Sequence, residues 1–268
     1  MLNRYFSPYK RTNATERGPK VNRNDLIIRK LHWIGREHAG LTTELCKAKP
    51  MSKLVLHYAP DNASLCIRLA LEATNLRYKT RLVDRTTSAH KSESYRALNP
   101  NGLIPVLETP DGTLFETAAI LLWLAEQDTT LLPKPSGERS QSIKWLIWMS
   151  NTLHPTLQML FYPEQYITES EQHALSDRTR TRLCAQLSIL DDGLTEAAYV
   201  GGATPSILDC YLCPMLRWSQ LYPANAPSRP SLSDYPTLQL IAKTNETFAS
   251  TAAAIAAACR ECRCAAGA

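Results

Sequence analysis

The chain contains no run of eighteen consecutive apolar residues, so no membrane-spanning helix is expected. Its first residues, MLNRYFSPYKRTN, lack the apolar stretch of a secretory signal. Its eight cysteines follow no regular spacing, which argues against a disulfide framework and for free thiols in a reducing, cytoplasmic compartment. Cys259, Cys262 and Cys264 lie close together, but no fourth ligand of zinc-site spacing follows them. No metal site is expected, and residues 257–268 read as a frayed Cys/Ala-rich tail. Internal repeats are absent as well. So is a charge excess over most of the chain: residues 1–50 hold 11 Lys/Arg against 4 Asp/Glu, whereas the other 218 hold 19 against 21. A basic arm of this kind is able to bind nucleic acid or anionic lipid. The simpler reading is an extension that is disordered or not native, with Met51 as the natural start, and neither nucleic acid nor membrane is expected as a partner. Within that extension only Leu26 through Ile34 suggests a short amphipathic helix.

From Met51 onward the pattern changes. Lys53 to Tyr58 reads as a buried strand, followed by a turn at Pro60-Asp61-Asn62. Ser64 through Asn75 has helical apolar spacing, and Tyr78 to Val83 reads as a second strand. A polar loop over Asp84 to Ser94 follows. Val106 to Thr109 and Thr113 to Phe115 flank Pro110-Asp111-Gly112, which predicts a hairpin with Asp-Gly at its turn. A helix is expected from Thr117 to Gln127. The order β-α-β-loop-β-β-α fits a mixed sheet with a crossover helix. The Pro-rich stretch Leu131 to Gly137 reads as a linker, and everything beyond it as helix. These helices run from Glu138 to Leu153, from a Thr168/Glu171 capping box to about Ala198, from Ser206, and from Pro236. Gly201-Gly202 is expected to end the second of them. The expected division is an extension at 1–50, an α/β domain at 51–130, an all-helical domain at 137–256 and a tail at 257–268.

Three motifs carry a resemblance. Asn99-Pro100-Asn101-Gly102-Leu103-Ile104-Pro105 looks like an Asn-Pro-x-Gly-x-x-Pro element, with Ile104 in place of the usual Val. Leu114-Phe115-Glu116-Thr117-Ala118-Ala119-Ile120 is similar to a Glu-Ser-x-x-Ile segment with Thr for Ser. Ser206-Ile207-Leu208-Asp209 resembles a Ser-x-x-Asp helix cap. Each alone is weak. Together, over Ser52 to about Ala253, they resemble the cytosolic glutathione transferase family, of bacterial beta/theta-like type. The resemblance implies an α/β thioredoxin-like N-terminal domain, an all-α C-terminal helical bundle, glutathione as co-substrate, a small electrophilic second substrate and a homodimer.

It also implies roles for particular residues. A cis bond before Pro105 would turn the N–H and C=O of Ile104 outward, where a peptide such as glutathione docks in the manner of an added strand. Thr117 is expected as the N-cap of its helix, whose N-terminus favours the γ-glutamyl carboxylate, and Glu116 as partner of the ligand's ammonium. His90 or Lys91 is placed to meet the glycyl carboxylate, although a solvated loop is the competing reading. Asp209 with Ser206 reads as a structural cap.

The chemistry to explain is ionisation of glutathione's thiol, whose pKa near about 8.5 leaves it mostly protonated at neutral pH. Hydrogen-bond donors beside a helix N-terminus stabilise the thiolate. The turn Tyr58-Ala59-Pro60-Asp61-Asn62-Ala63-Ser64 occupies that place and carries Ala63 where beta-type members have a reactive Cys. Asn62 is the favoured donor, because an amide needs no deprotonation. Ser64 is a second candidate, although it equally suits a helix cap. Tyr58 is a third, and it is also expected to line the substrate pocket with Tyr162. Cys66 reads as core. His154 is expected to face the cleft and to steer the second substrate or polarise water. The competing roles are a non-catalytic binding protein and a disulfide reductase, the latter disfavoured by Ala63.

Overall fold

The computed structural model describes residues 54–74, 76–134, 136–194, 199–200, 202, 204–221 and 230–246. The basic extension, the Met51 start, Gly201 and the cysteine tail lie outside the described residues, whereas the helix expected to reach about Ala198 stops at Gly193, with Leu194 already extended.

Strand β1 (Leu54–Tyr58) pairs in parallel with β2 (Tyr78–Leu82) and antiparallel with β3 (Val106–Thr109), which pairs antiparallel with β4 (Gly112–Phe115). The sheet order is therefore β2-β1-β3-β4, with helix α1 (Ser64–Ala73) as the crossover between the parallel pair. As a central strand, β1 buries Leu54, Leu56 and Tyr58 on one face and His57 on the other. The charged residues of β2 suit its edge position, and Lys79 through Leu82 are exposed. Helix α1 buries Cys66, Ile67, Leu69, Ala70 and Leu71, and stops where the Thr74 hydroxyl donates to the carbonyl of Leu71 at 2.8 Å.

Two local expectations need correction. The stretch expected as polar loop contains a 3-10 turn (Ala89–Lys91) and the short helix α2 (Glu93–Arg96), because Ser92 caps it by accepting from the N–H of Tyr95. The hairpin turns on Pro110-Asp111, since Thr109 already pairs with Gly112. Gly112 serves instead as the first strand residue, at φ +128.

Helix α3 (Thr117–Gln127) buries Ile120, Leu121 and Leu124 completely. Each such side chain contributes roughly 1.5–3 kcal/mol of hydrophobic stabilisation. Beyond the linker, α4 (Gly137–Trp148) was expected to stop near Leu153, before Pro155. It passes instead into a five-residue π turn (Met149–Leu153) and on into α5 (His154–Phe161). Pro155 sits in the first turn of α5, directly after the π turn.

The Thr168 hydroxyl does meet the Glu171 carboxylate, at 2.6 Å, but the pair opens a 3-10 turn (Glu169–Glu171) before α6 (Gln172–Gly193). That helix ends at Gly193, where a Cβ would lie 2.6 Å from the Trp145 ring. Close packing of α6 on α4 therefore requires glycine there. Helix α7 (Ile207–Leu221) opens on the Ser206/Asp209 cap, and α8 (Pro236–Glu246) is the last described element. Asp209, 2% exposed, accepts from the N–H groups of Val200 and Ser206, the Ser206 hydroxyl and the Asn245 amide, at 2.9 to 3.2 Å. Burial raises its pKa, and the four donors work against that rise.

The sheet side and the helical side share one buried cluster running from Leu54 to Ile241. Within it α1 meets α7, with the Cys66 thiol 4.0 Å from the carbonyl of Tyr211. Cys66 is fully buried, and burial pushes its thiol pKa up, which makes it an inert core residue.

Candidate functional site

The turn between β1 and α1 is locked from inside by Ser64. Its hydroxyl, 2% exposed, lies 2.6 Å from Asn62 Oδ1 and 3.1 Å from the carbonyl of Ala59. The N–H of Ser64 also points at Asn62 Oδ1, at 2.9 Å. Because a backbone N–H only donates, the atom facing it must be the amide oxygen. The Asn62 NH2 group then faces the other way, and among the described residues it takes part in no hydrogen bond. Both donors of Ser64 are spent within the turn, so the expectation that Ser64 donates to a thiolate is corrected: it fixes the Asn62 amide. Tyr58 is 8% exposed, and the Arg68 guanidinium lies over its ring, 4.7 Å from the ring centre. Tyr58 does line a small pocket with Pro60, Asp61, Ser64 and Arg68.

A second wall is built by the Asn-Pro loop. The Ile104–Pro105 bond is cis. Asn99, 2% exposed, donates from its amide to the carbonyl of Leu103 at 2.8 Å and accepts from the N–H of Asn101 at 3.0 Å. The Tyr95 hydroxyl donates to the same Leu103 carbonyl at 3.0 Å. Gly102 takes φ +63, and a Cβ on it would lie 2.8 Å from the carbonyl oxygen of His90. The turn carrying His90 therefore rests directly on this loop. His90 has a buried Nδ1 without a hydrogen-bond partner among the described residues. Burial lowers its pKa, and the cations Lys91, Arg85 and Arg96 lower it further. This corner of the protein suits a carboxylate.

The third element is the junction of β4 and α3. Glu116 holds φ +69 and ψ 115, a conformation costly for any residue but glycine, and it occupies the N-cap position. Thr117 is the first helical residue and is 6% exposed, so the expectation of Thr117 as N-cap is corrected by one position. The helix N-terminus behind Glu116 presents backbone N–H groups suited to an anion.

His154 and Tyr162 each meet a partner from another element. His154 Nδ1 lies 2.9 Å from the Tyr211 hydroxyl, and its ring packs 6.0 Å from that of Trp218. Removal from water pushes its pKa down to about 4, so it is neutral near pH 7. It sits in a packed aromatic layer, because the helix continues through Pro155. A role at the C-terminus of a helix is excluded for the same reason. Tyr162 accepts a hydrogen bond from Arg85 at 3.0 Å, bridging the helical side to the loop after β2. Sequence reasoning missed Asp61 and Trp218 as partners: the indole Nε1 of Trp218 donates to Asp61 at 3.2 Å. The usable signal was Pro60-Asp61-Asn62 itself, since Asp and Asn tolerate left-handed backbone, and Asp61 has φ +48.

A sheet of this order, a cis-proline loop and a strained residue before a helix N-terminus define a thioredoxin-like α/β domain followed by helices. Residues 63–127 match the family model described as glutathione S-transferase, N-terminal domain. Glutathione S-transferase GST-4.5 of Xanthomonas campestris is 31% identical over 173 residues, covering 61% of this chain and 81% of that protein. The fold is shared with a Sulfitobacter glutathione transferase homologue, solved with bound glutathione, at a TM-score of 0.68 and 23% identity over 76% of this chain and 97% of that one. A sphingomonad glutathione S-transferase complexed with glutathione superposes with a TM-score of 0.64 at 26% identity, covering 76% of this chain and 98% of that one. The chain belongs to the glutathione S-transferase family.

Proposed function

We propose that the protein binds glutathione as co-substrate and transfers its thiolate to small apolar electrophiles. In this reading the peptide groups of Ile104 take the cysteinyl backbone of glutathione. Glu116, Thr117 and the α3 N-terminus take the γ-glutamyl end, and the His90 corner takes the glycyl carboxylate. The observation that carries the catalytic part is the orientation of Asn62. With Oδ1 held by Ser64, the NH2 group is presented as a fixed donor at the turn where the sulfur of glutathione would lie. The thiolate then attacks the electrophile, and the thiol proton leaves to solvent. His154 supports the site from the packed layer, and Tyr162 borders the second-substrate side. We further propose the division into an α/β domain at 51–130 and a helical domain at 137–256, a homodimer and a cytoplasmic location.

The test combines retention on immobilised glutathione with a conjugation assay over a panel of electrophiles. Retention and turnover are expected for the wild type. Asn62→Ala is expected to lower kcat by about 10²-fold, the scale for loss of one preorganised donor, with little change in retention. Retention without turnover for any electrophile would leave a binding protein and no transferase.

A further inference from the structure

Asp61 stands out because a strained backbone and long-range carboxylate bonds meet on it. It is a non-glycine residue at φ +48, immediately before Asn62. Its carboxylate accepts from Trp218 Nε1 at 3.2 Å and from Arg217 Nη2 at 3.4 Å, partners more than 150 residues away on α7. Trp218 is itself immobilised: it is 4% exposed and packs on the His154 ring, which is tied to the buried Tyr211 hydroxyl at 2.9 Å.

The turn is therefore clamped twice. Ser64 holds it from the sheet side, and the Asp61 carboxylate ties it to the helical side. A donor that stabilises a developing thiolate must be aimed to within a fraction of an ångström, and misplacement by about 1 Å costs on the order of 10²-fold. The carboxylate also has an electrostatic consequence. A bare negative charge one residue from the donor would oppose thiol ionisation. The Arg217 guanidinium and the indole N–H offset that charge.

We propose that Asp61 is a positioning residue for thiolate formation, acting through Asn62, and that Trp218 is its anchor in the helical half. This rests on the transferase reading above. The role differs from a simple domain contact, because it concerns the ionisation of the bound ligand and not only the stability of the fold.

The experiment titrates the thiol of glutathione bound to the full-length protein by its ultraviolet thiolate absorbance. Steady-state kinetics against pH and thermal unfolding are measured on the same variants. Asp61→Ala is expected to raise the bound thiol pKa by about one unit, lowering kcat by up to about tenfold at pH below the thiol pKa, with KM for glutathione nearly unchanged. Asp61→Asn keeps an acceptor for the indole and tolerates the left-handed backbone, so it is expected to recover most of the loss. Trp218→Phe keeps the packing, removes the donor and should shift the pKa in the same direction as Asp61→Ala; it serves if Asp61→Ala does not fold. A wild type that lowers the thiol pKa, with Asp61→Ala and Trp218→Phe titrating identically to it and differing only in melting temperature, would overturn the positioning role alone. A wild type that binds glutathione without lowering its thiol pKa would overturn both this role and the transferase reading.

Discussion

The two short connections that form the candidate site are built alike and supported differently. The loop from Asn99 to Pro105 and the turn from Ala59 to Ser64 each contain one left-handed residue, Gly102 at φ +63 and Asp61 at φ +48. Each is braced by a polar side chain turned back on its own backbone, from Asn99 in one and Ser64 in the other. The loop draws its remaining support from its neighbours in sequence, Tyr95 and the turn at His90. The turn draws its own from Trp218 and Arg217 on α7. The wall assigned to holding glutathione is therefore self-sufficient within the α/β half. The turn assigned to activating its sulfur depends on the helical half being docked.

The largest expected effect attacks the self-sufficient wall. Gly102→Val places a β-branched residue at φ +63 with its Cβ against the His90 carbonyl oxygen at 2.8 Å. Strain and overlap together should cost about 3–4 kcal/mol in chemical unfolding, with loss of retention on immobilised glutathione. Unchanged retention would show that the wall does not bind the ligand.

The next effect attacks the helical support of the turn. The pKa of His154 is depressed from 6.5 to about 4, so its neutral form is favoured in the folded state. Its contribution is fully present above the unfolded pKa. As pH falls from 6.5 toward 4 the unfolded chain takes up the proton first, and stability drops by up to about 3 kcal/mol. His154→Gln should flatten that part of the stability–pH curve, measured by denaturant unfolding at stepped pH.

A smaller effect separates bracing from ligand contact. Asn99→Ala leaves the Leu103 carbonyl with only the Tyr95 hydroxyl, and should cost about 2 kcal/mol while raising KM for glutathione more than it lowers kcat. The smallest concerns the exposed bridge between the halves. Tyr162→Phe removes the acceptor of Arg85 and should change stability by less than about 1 kcal/mol; kinetics with electrophiles of different size would show whether the bridge borders the second substrate.

The contrast between wall and turn also explains what was legible in the sequence. Asn99 through Pro105 acts within seven residues, so its purpose is readable from local spacing, and so is the Ser206/Asp209 cap. The β-α-β-β-α order follows from periodicity. The bond from Trp218 to Asp61 spans 157 residues and leaves no local pattern. The strained backbone of Glu116 is imposed by the junction it serves, since nothing in glutamate favours a positive φ. The continuation of helix past Leu153 was not legible, because a π turn leaves no periodic signature in the residues that form it. The exposure of β2 depends on which strand occupies the sheet edge, and its residues alone did not decide that.

The π turn at Met149–Leu153 has a consequence for rotational phase. A π turn is equivalent to one surplus residue in an α-helix, and one residue corresponds to about 100° of rotation. In an unbroken α-helix His154 would stand about 180° from Trp145; with one residue absorbed by the π turn the two stand about 80° apart. With it, Trp145 closes on Gly193 of α6 while His154 reaches Tyr211 of α7. Removing one residue between 149 and 153 would leave a longer, more regular helix. The phase of α5 would be kept, because the π turn already absorbs that residue, and His154 would still reach Tyr211 and Trp218.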